Sequence, residues 1–242
     1  MKTSQPAPAG RDPYLPYRRT LLPAARVREL SRRRPARAVR DASICWATIV
    51  SAWLGAALIG TWWALAIAFV LVGNRFYALF IIGHDGMHGR LFDKRWLNDL
   101  FADLCTYAPI GAVNHVNNRN HLRHHQYLTT EDDPDRHKHA CFNKATRPQF
   151  ISYLTAVSTV VRSLGNVFLP HRRATTRAKT TETPPHYTLR DLLLIGGWQA
   201  SLVFGLWFLF GWWAYIVLWW APVLVFMFLA DNLRTFVEHS QP

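Results

Sequence analysis

The chain has 242 residues, 50% of them hydrophobic, and a formal net charge of +13. This combination is unusual for a soluble protein, and the basic residues accompany no nucleic-acid recognition motif, which argues against a nucleic-acid-binding function. The 3 cysteines lie far apart in unrelated surroundings and provide no disulfide framework. Composition therefore indicates a membrane protein with reduced thiols.

The first 41 residues are basic and rich in proline. Residues 1–40 contain eleven Lys and Arg side chains against Asp12 and Glu29. Basic residues beside a membrane helix mark its cytoplasmic end and attract anionic lipid headgroups. We therefore predict a flexible cytoplasmic N-terminus over 1–41, followed by a membrane domain over 42–242.

Four apolar runs in this domain are long enough to cross a bilayer, because a hydrocarbon core about 30 Å thick requires about 20 helical residues. They cover residues 42–59, 62–82, 192–210 and 212–230. Very short breaks separate the first run from the second and the third from the fourth, which predicts two hairpins. Neither hairpin turn contains Lys or Arg, so the positive-inside rule assigns both termini and residues 83–191 to the cytoplasm. The predicted fold is an all-α integral membrane protein with four transmembrane helices and a cytoplasmic cap.

Two further segments are partly apolar but are predicted to stay on the cytoplasmic side. Segment 96–113 contains Asp99 and Asp103, which favours a re-entrant or interfacial helix over a span. Segment 150–169 contains Arg162 and has basic residues on both flanks. Moving either flank across the bilayer would violate the positive-inside rule, so this segment is predicted to lie along the membrane interface.

One charged residue, Arg75, falls inside the second apolar run. A charge within a membrane segment is a candidate functional residue, because burying it in lipid is costly. Arg75 and His84 are nine residues apart, about 180° around a helix at 100° per residue. Arg75 is therefore predicted to face away from the first histidine, and to snorkel or to pair with another helix.

Two histidine clusters lie on the predicted cytoplasmic side. His84 and His88 are spaced i, i+4, which stacks two imidazoles on one helical face, where they can share a metal. His121, His124 and His125 are spaced i, i+3, i+4, within about 100° of one face. Neutral imidazole is a ligand for iron, zinc and copper. The spacing therefore predicts a metal centre to which both clusters contribute.

Three more residues are candidates near this centre. His239 follows the fourth apolar run closely enough to reach the same side, and it is predicted as a sixth ligand. Asp85 could orient His84 by accepting its second ring N–H, with a helix-surface or capping role as the alternative. His115, six residues before His121, is a candidate for a similar orienting role. The histidines of polar or basic segments are predicted to be solvated: His137, His139, His171 and His186.

The sequence around the clusters resembles the membrane-bound fatty acid desaturase family and its hydroxylase relatives. HDGMHGRLF, which begins at His84, is similar to the first histidine box, and NHLRHHQYLTTEDDPD, which begins at Asn120, is similar to the second. RTFVEH, which ends at His239, is similar to the segment after the fourth span, which contributes one more histidine. The resemblance implies a di-iron centre that uses O2 to desaturate a lipid acyl chain, with electrons from a carrier such as ferredoxin or cytochrome b5. The implied iron ligands are His84, His88, His121, His124, His125 and His239.

The family's third box, HxxHH or QxxHH, has no counterpart in the sequence up to Pro242. Six histidines are fewer than the roughly eight that two histidine-bound irons need, so we expect the chain by itself to bind less than a full pair of irons and to show little or no desaturation. The sequence is then a fragment, a truncated member with an incomplete site, or a chain whose site another chain completes. No catalytic residue is predicted beyond the metal ligands. The alternatives are a lipid or carotenoid hydroxylase that uses the same site, and a truncated member that binds metal or lipid without catalysis. A membrane zinc metalloprotease is a further alternative, but its HExxH motif needs Glu where this chain has Asp85.

Overall fold

The computed structural model describes residues 22–127, 130, 132–133, 146–155 and 186–239. The ordered elements in these ranges are helices, without a strand. The chain divides into two units after Arg34, and α1 (Ala24–Leu30) belongs to the first unit. The elements of the second unit are α2 (Pro35–Ile59), α3 (Trp62–Met87), α4 (Arg95–Ala102), a π-helical turn (Asp103–Tyr107), a 3-10 turn (Ala108–Ile110), α5 (Asn114–Tyr127), α6 (Arg147–Leu154), α7 (Leu189–Phe210), a second π-helical turn (Tyr215–Trp220) and α8 (Ala221–His239).

The predicted all-helical fold with four long apolar helices is confirmed. The helices long and apolar enough to cross a membrane are Pro35–Ile59, Trp62–Met87, Leu189–Phe210 and Tyr215–Arg234. The first begins before the predicted residue 42, because proline is favoured in a first helical turn and the basic side chains there can reach water. The second continues beyond the predicted residue 82, so that the first histidine of the pair lies in its last turn. Four such helices fit an integral membrane protein.

The long helices of the second unit pack around Trp219, which is fully buried. Its ring stacks on Trp46 of α2, with 5.9 Å between the ring centroids, and meets Phe76 of α3 edge-on at 5.1 Å. A small residue allows α8 to approach α3 closely, because a Cβ atom on Gly73 would collide with the ring of Phe226. Helices in a membrane associate through such close packing, since lipid tails are as apolar as the side chains themselves.

Segment 96–113 packs among the long helices and is not one of the helices long enough to span a membrane. Two of its backbone carbonyl groups accept hydrogen bonds from tryptophan side chains of the long helices. The indole N–H of Trp46 donates to the carbonyl of Cys105 at 3.0 Å, and that of Trp219 donates to the carbonyl of Pro109 at 3.1 Å. These hydrogen bonds provide partners for carbonyl groups that an interrupted helix would otherwise leave unpaired in lipid.

The predicted interfacial segment 150–169 is described only through its first residues, in α6. This helix contacts α8 through two hydrogen bonds. The hydroxyl of Tyr153 donates to the carbonyl of Asn232 at 3.2 Å, and the side chain of Asn232 donates to the carbonyl of Tyr153 at 2.7 Å. The rest of the segment lies outside the described residues, so its placement along the interface stays a prediction.

Candidate metal centre

Four histidines form one cluster where the ends of α3 and α5 meet: His84, His88, His121 and His125. One ring nitrogen from each lies within 4.8 Å of the other three. The Nε2 atom of His121 is 3.0 Å from that of His88 and 3.1 Å from that of His125. Two ligands at right angles on one metal, each at about 2.1 Å, would lie about 3.0 Å apart. The cluster therefore has the dimensions of a metal site.

The helical spacing of the first pair persists at the end of α3. The helix ends one residue before His88, yet the N–H of His88 still donates to the carbonyl of His84 at 3.3 Å. The two rings therefore stay on one side of the chain, 4.9 Å apart. In α5, His121 and His125 form a second i, i+4 pair with their rings 4.6 Å apart. Each helix thus presents two imidazoles to the shared site.

The electrostatic surroundings keep two histidines of the cluster in the form that binds metals. Burial, followed by the neighbouring imidazoles, lowers the pKa of His121 to about 3. Burial also lowers the pKa of His88. Both rings are therefore neutral near pH 7, and each has a nitrogen lone pair to offer. A set of neutral imidazoles fits a metal that accepts nitrogen ligands, and iron is one of these.

The fifth predicted ligand, His124, does not join this group of four. Its Nδ1 atom lies 2.8 Å from a carboxylate oxygen of Asp133, and both side chains are buried. Because a carboxylate accepts hydrogen bonds, the Nδ1 atom of His124 carries the proton in this contact. Contacts of this kind commonly orient an imidazole that binds a metal. The ring centroid of His124 lies 5.5 Å from that of His125. A ligand role for His124 stays a prediction.

A cation on α8 also reaches the cluster, although the spacing of the histidines gave no sign of it. The Nη2 atom of Arg234 lies 3.5 Å from Nε2 of His84. Because a guanidinium group only donates hydrogen bonds, the His84 nitrogen is the acceptor in this contact. The signal in the sequence was the position of Arg234 in the family-like segment that ends at His239. The side chain of His239 lies outside the described residues, so its role as a sixth ligand stays a prediction.

The two candidates for orienting roles have different surroundings. The side chain of Asp85 is exposed, and no described residue donates a hydrogen bond to its carboxylate. The Nε2 atom of His115 lies 3.6 Å from the buried carboxylate of Asp191, which connects α5 with α7. Both orienting roles stay predictions. Of the histidines predicted to be solvated, His186 is exposed, and the others lie outside the described residues: His137, His139 and His171.

A buried polar network behind the cluster connects α3, α4 and α5. The side chain of Asn98 is fully buried; it donates to the carbonyl of Gly86 at 2.8 Å and accepts from the N–H of Leu91 at 3.1 Å. Asn114, at the start of α5, donates to the carboxylate of Asp99 at 2.7 Å. Gly86 lies between the two histidines of α3, so the network holds that turn against the neighbouring helices. Sequence reasoning singled out only Asp99 of this network, as a charged position that argues against a span.

Asp103 adds a buried carboxyl group to this region, and only 2% of the residue is exposed. Burial raises the pKa of this carboxyl to about 6, against the opposing effect of the Asn114 N–H, which donates to it at 2.5 Å. A raised pKa means that the folded protein holds the proton more tightly than the unfolded chain. The ionised form therefore costs stability, and this cost is absent below about pH 4 and complete above about pH 6.

We expect Asp103→Asn to stabilise the protein at pH 7 by up to about 3 kcal/mol, the free energy that corresponds to raising the pKa of this carboxyl to about 6. The asparagine oxygen can still accept the N–H of Asn114, while an NH2 group replaces the second carboxylate oxygen. Thermal unfolding in detergent between pH 4 and pH 8 measures the effect. The Tm of the natural chain should fall relative to that of the variant between pH 4 and pH 6; two parallel Tm curves would contradict the expectation.

The long apolar helices and the histidine cluster together are those of a helical membrane protein with a site that could hold a metal ion. The family described as "Fatty acid desaturase" matches residues 60–242. Because the match covers more than half of the sequence, the chain belongs to the fatty acid desaturase family.

Individual relatives agree with this assignment. The Delta(12) fatty acid desaturase fat-2 of Caenorhabditis elegans is 43% identical over 77 residues, which are 32% of this chain and 18% of that protein. An sn-1 acyl-lipid omega-3 desaturase (ferredoxin) of Nostoc is 28% identical over 77% of this chain and 53% of its own length. An sn-1 oleoyl-lipid 12-desaturase of Synechocystis is 25% identical over 84% of this chain and 60% of its own length. The chain thus spans less than two thirds of each of these relatives.

Proposed function

We propose that this protein acts as an O2-dependent fatty acyl desaturase, which introduces a double bond into a membrane lipid at a histidine-bound di-iron centre. The observation that carries the proposal is the cluster of His84, His88, His121 and His125 in a chain of the desaturase family. The names of the relatives support an acyl-lipid substrate. The name of the Nostoc protein includes ferredoxin, which supports an electron donor of that kind, with cytochrome b5 as the alternative.

Iron with O2, when bound, supplies the oxidising power to remove hydrogen from an unactivated C–H bond, which acid–base side chains lack. The chain's own residues would hold the metal and orient its ligands. The neutral rings of His88 and His121 offer lone pairs on one side of the site. Asp133 orients His124, which we propose as a ligand beside the cluster. We propose His239 as one further ligand.

The proposed membrane arrangement has two hairpins, α2 with α3 and α7 with α8. The short turns between the helices of each pair support it, and neither turn contains Lys or Arg. Both termini and residues 83–191 are then cytoplasmic, with the histidine cluster forming a cap at the membrane surface. Residues 1–41 form a basic N-terminus and residues 42–242 the membrane domain. A lipid substrate can approach such a site along the apolar helices without entering water.

The test combines metal analysis with lipid analysis. The full chain is purified from iron-supplemented cells and its iron and zinc are measured by mass spectrometry, while the fatty acids of the same membranes are analysed with and without a co-expressed ferredoxin system. We expect iron in excess of zinc, at fewer than two irons per chain, and only a small amount of new unsaturated acyl chains, since six proposed histidine ligands leave the site incomplete. The matched control is the His88→Ala/His121→Ala chain, which should show neither. One zinc per chain without iron would contradict the proposal. Hydroxylated acyl chains in place of unsaturated ones would show that the reaction is hydroxylation.

A further inference from the structure

A cavity of about 490 Å³ lies between α2 and α3. Its lining is mostly apolar, with Ile44 and Cys45 from α2 and Ala78 and Ile81 from α3, and it includes the charged residue Arg75. Both helices are long and apolar enough to cross a membrane, so a groove between them is open to lipid. A lipid-facing groove that contains a cation is uncommon, because charges within membrane segments usually face the protein interior.

Arg75 requires a hydrogen-bond acceptor that the described part of the chain does not supply. Its Nη2 group donates to the side chain of Asn74 at 2.8 Å. Its Nε group is buried and has no hydrogen-bond partner among the described residues. A buried N–H group without a partner is costly, and more so in a cation surrounded by hydrocarbon. Because Arg75 lines the groove, a lipid oxygen placed there would lie beside its guanidinium group.

The mouth of the groove carries a net positive charge. Asp41, which lines the groove, accepts from Arg40 at 2.8 Å and lies 3.5 Å from Arg37. Two guanidinium groups therefore face one carboxylate at the mouth, and Arg75 adds a third guanidinium deeper in the groove. Cys45, one helical turn beyond Asp41, lies about 6 Å further along the helix axis and lines the groove together with Arg75. Basic pockets between membrane helices are suited to anionic lipid headgroups.

The groove does not include the histidine cluster. Its lining residues on α3 lie between Arg75 and Ile82, and none of the four clustered histidines is among the residues that line it. A molecule in the groove therefore does not lie against the four-histidine cluster, so it is distinct from the acyl chain whose desaturation is proposed above.

We propose that this groove binds one anionic phospholipid. Its phosphate lies against Arg37 and Arg40 at the mouth. A glycerol-ester carbonyl, which is deeper than the phosphate, accepts a hydrogen bond from the guanidinium group of Arg75. One acyl chain lies along Ile44 and Ala78. The site goes beyond the desaturase activity, since it would hold a lipid that supports the packing of α2 on α3.

The test compares phosphatidylglycerol with phosphatidylcholine of identical acyl chains, added to the delipidated full chain in detergent. Binding is followed by native mass spectrometry and by the rise in Tm. We expect the natural chain to bind phosphatidylglycerol about tenfold more tightly, a preference that corresponds to one or two additional charge contacts. Arg75→Met should reduce this preference to about twofold, and Arg147→Met, which removes an exposed arginine of α6, should leave it unchanged.

A second variant keeps the proposal testable if Arg75→Met fails to fold. Ala78→Phe leaves all three arginines in place but fills the groove, and it should weaken the binding of both lipids. Equal binding of the two lipids by the natural chain would overturn the proposal, as would an Ala78→Phe variant that binds phosphatidylglycerol as the natural chain does. Glycerol 3-phosphate serves as the probe for a free phosphate, and a Tm rise as large as that from phosphatidylglycerol would also overturn the lipid assignment.

Discussion

Replacement of His121 by alanine is expected to remove tightly bound metal from the purified protein. His121 is the central member of the cluster, with Nε2 3.0 Å from that of His88 and 3.1 Å from that of His125. Losing even a residue that only orients a ligand typically weakens metal binding by about 10- to 100-fold. Loss of the central imidazole should therefore lower the iron content at least about tenfold, as measured by inductively coupled plasma mass spectrometry.

A matched control separates loss of a ligand from loss of the fold. His186→Ala changes an exposed histidine before α7 and should retain full iron. Circular dichroism should give the same helix content for all variants. Iron retained by His121→Ala, or lost equally from His186→Ala, would show that the cluster is not the metal site.

Gly86→Ala is expected to disturb the same site through the backbone. A Cβ atom at this position would lie 2.7 Å from Cβ of Ala102 on α4 and 3.2 Å from a methyl group of Leu91. The clash forces α3 and α4 apart and strains the hydrogen bond from Asn98 to the Gly86 carbonyl, which is 2.8 Å long. Overpacking of this kind costs about 1–3 kcal/mol. We expect a lower Tm and, because Gly86 lies between His84 and His88, a weaker affinity for iron.

The structure supplies a rescue and a matched control for this variant. Adding Ala102→Gly to Gly86→Ala removes the opposing methyl group, so the double variant should recover most of the lost Tm and iron affinity. Gly196→Ala makes the same change in α7, where nothing lies within 4 Å of the new Cβ atom. It should be neutral or stabilising by up to about 1 kcal/mol, because alanine is the better helix former. A Gly86→Ala protein as stable as Gly196→Ala would contradict the close packing of α3 on α4.

The sequence by itself determined the helices and the chemistry of the histidines. Apolar runs of membrane-spanning length define where the long helices lie, because helix length follows from hydrocarbon thickness. The i, i+4 spacing of His84 with His88 and of His121 with His125 places each pair on one helical face. Both are local properties of the chain, so they can be derived without knowing which helices are neighbours. The family motifs around these pairs are equally local.

Contacts between distant parts of the chain were decided only by the tertiary structure. Helical spacing groups His124 with His121 and His125, but the buried contact with Asp133 at 2.8 Å sets it apart from the cluster. The approach of Arg234 to His84 at 3.5 Å joins residues from opposite ends of the membrane domain. Asn98 was visible in the sequence only as a polar residue, and its role depends on the Gly86 carbonyl that it meets. Side chains find such partners only after the helices have packed, and helical periodicity does not encode which helices pack together.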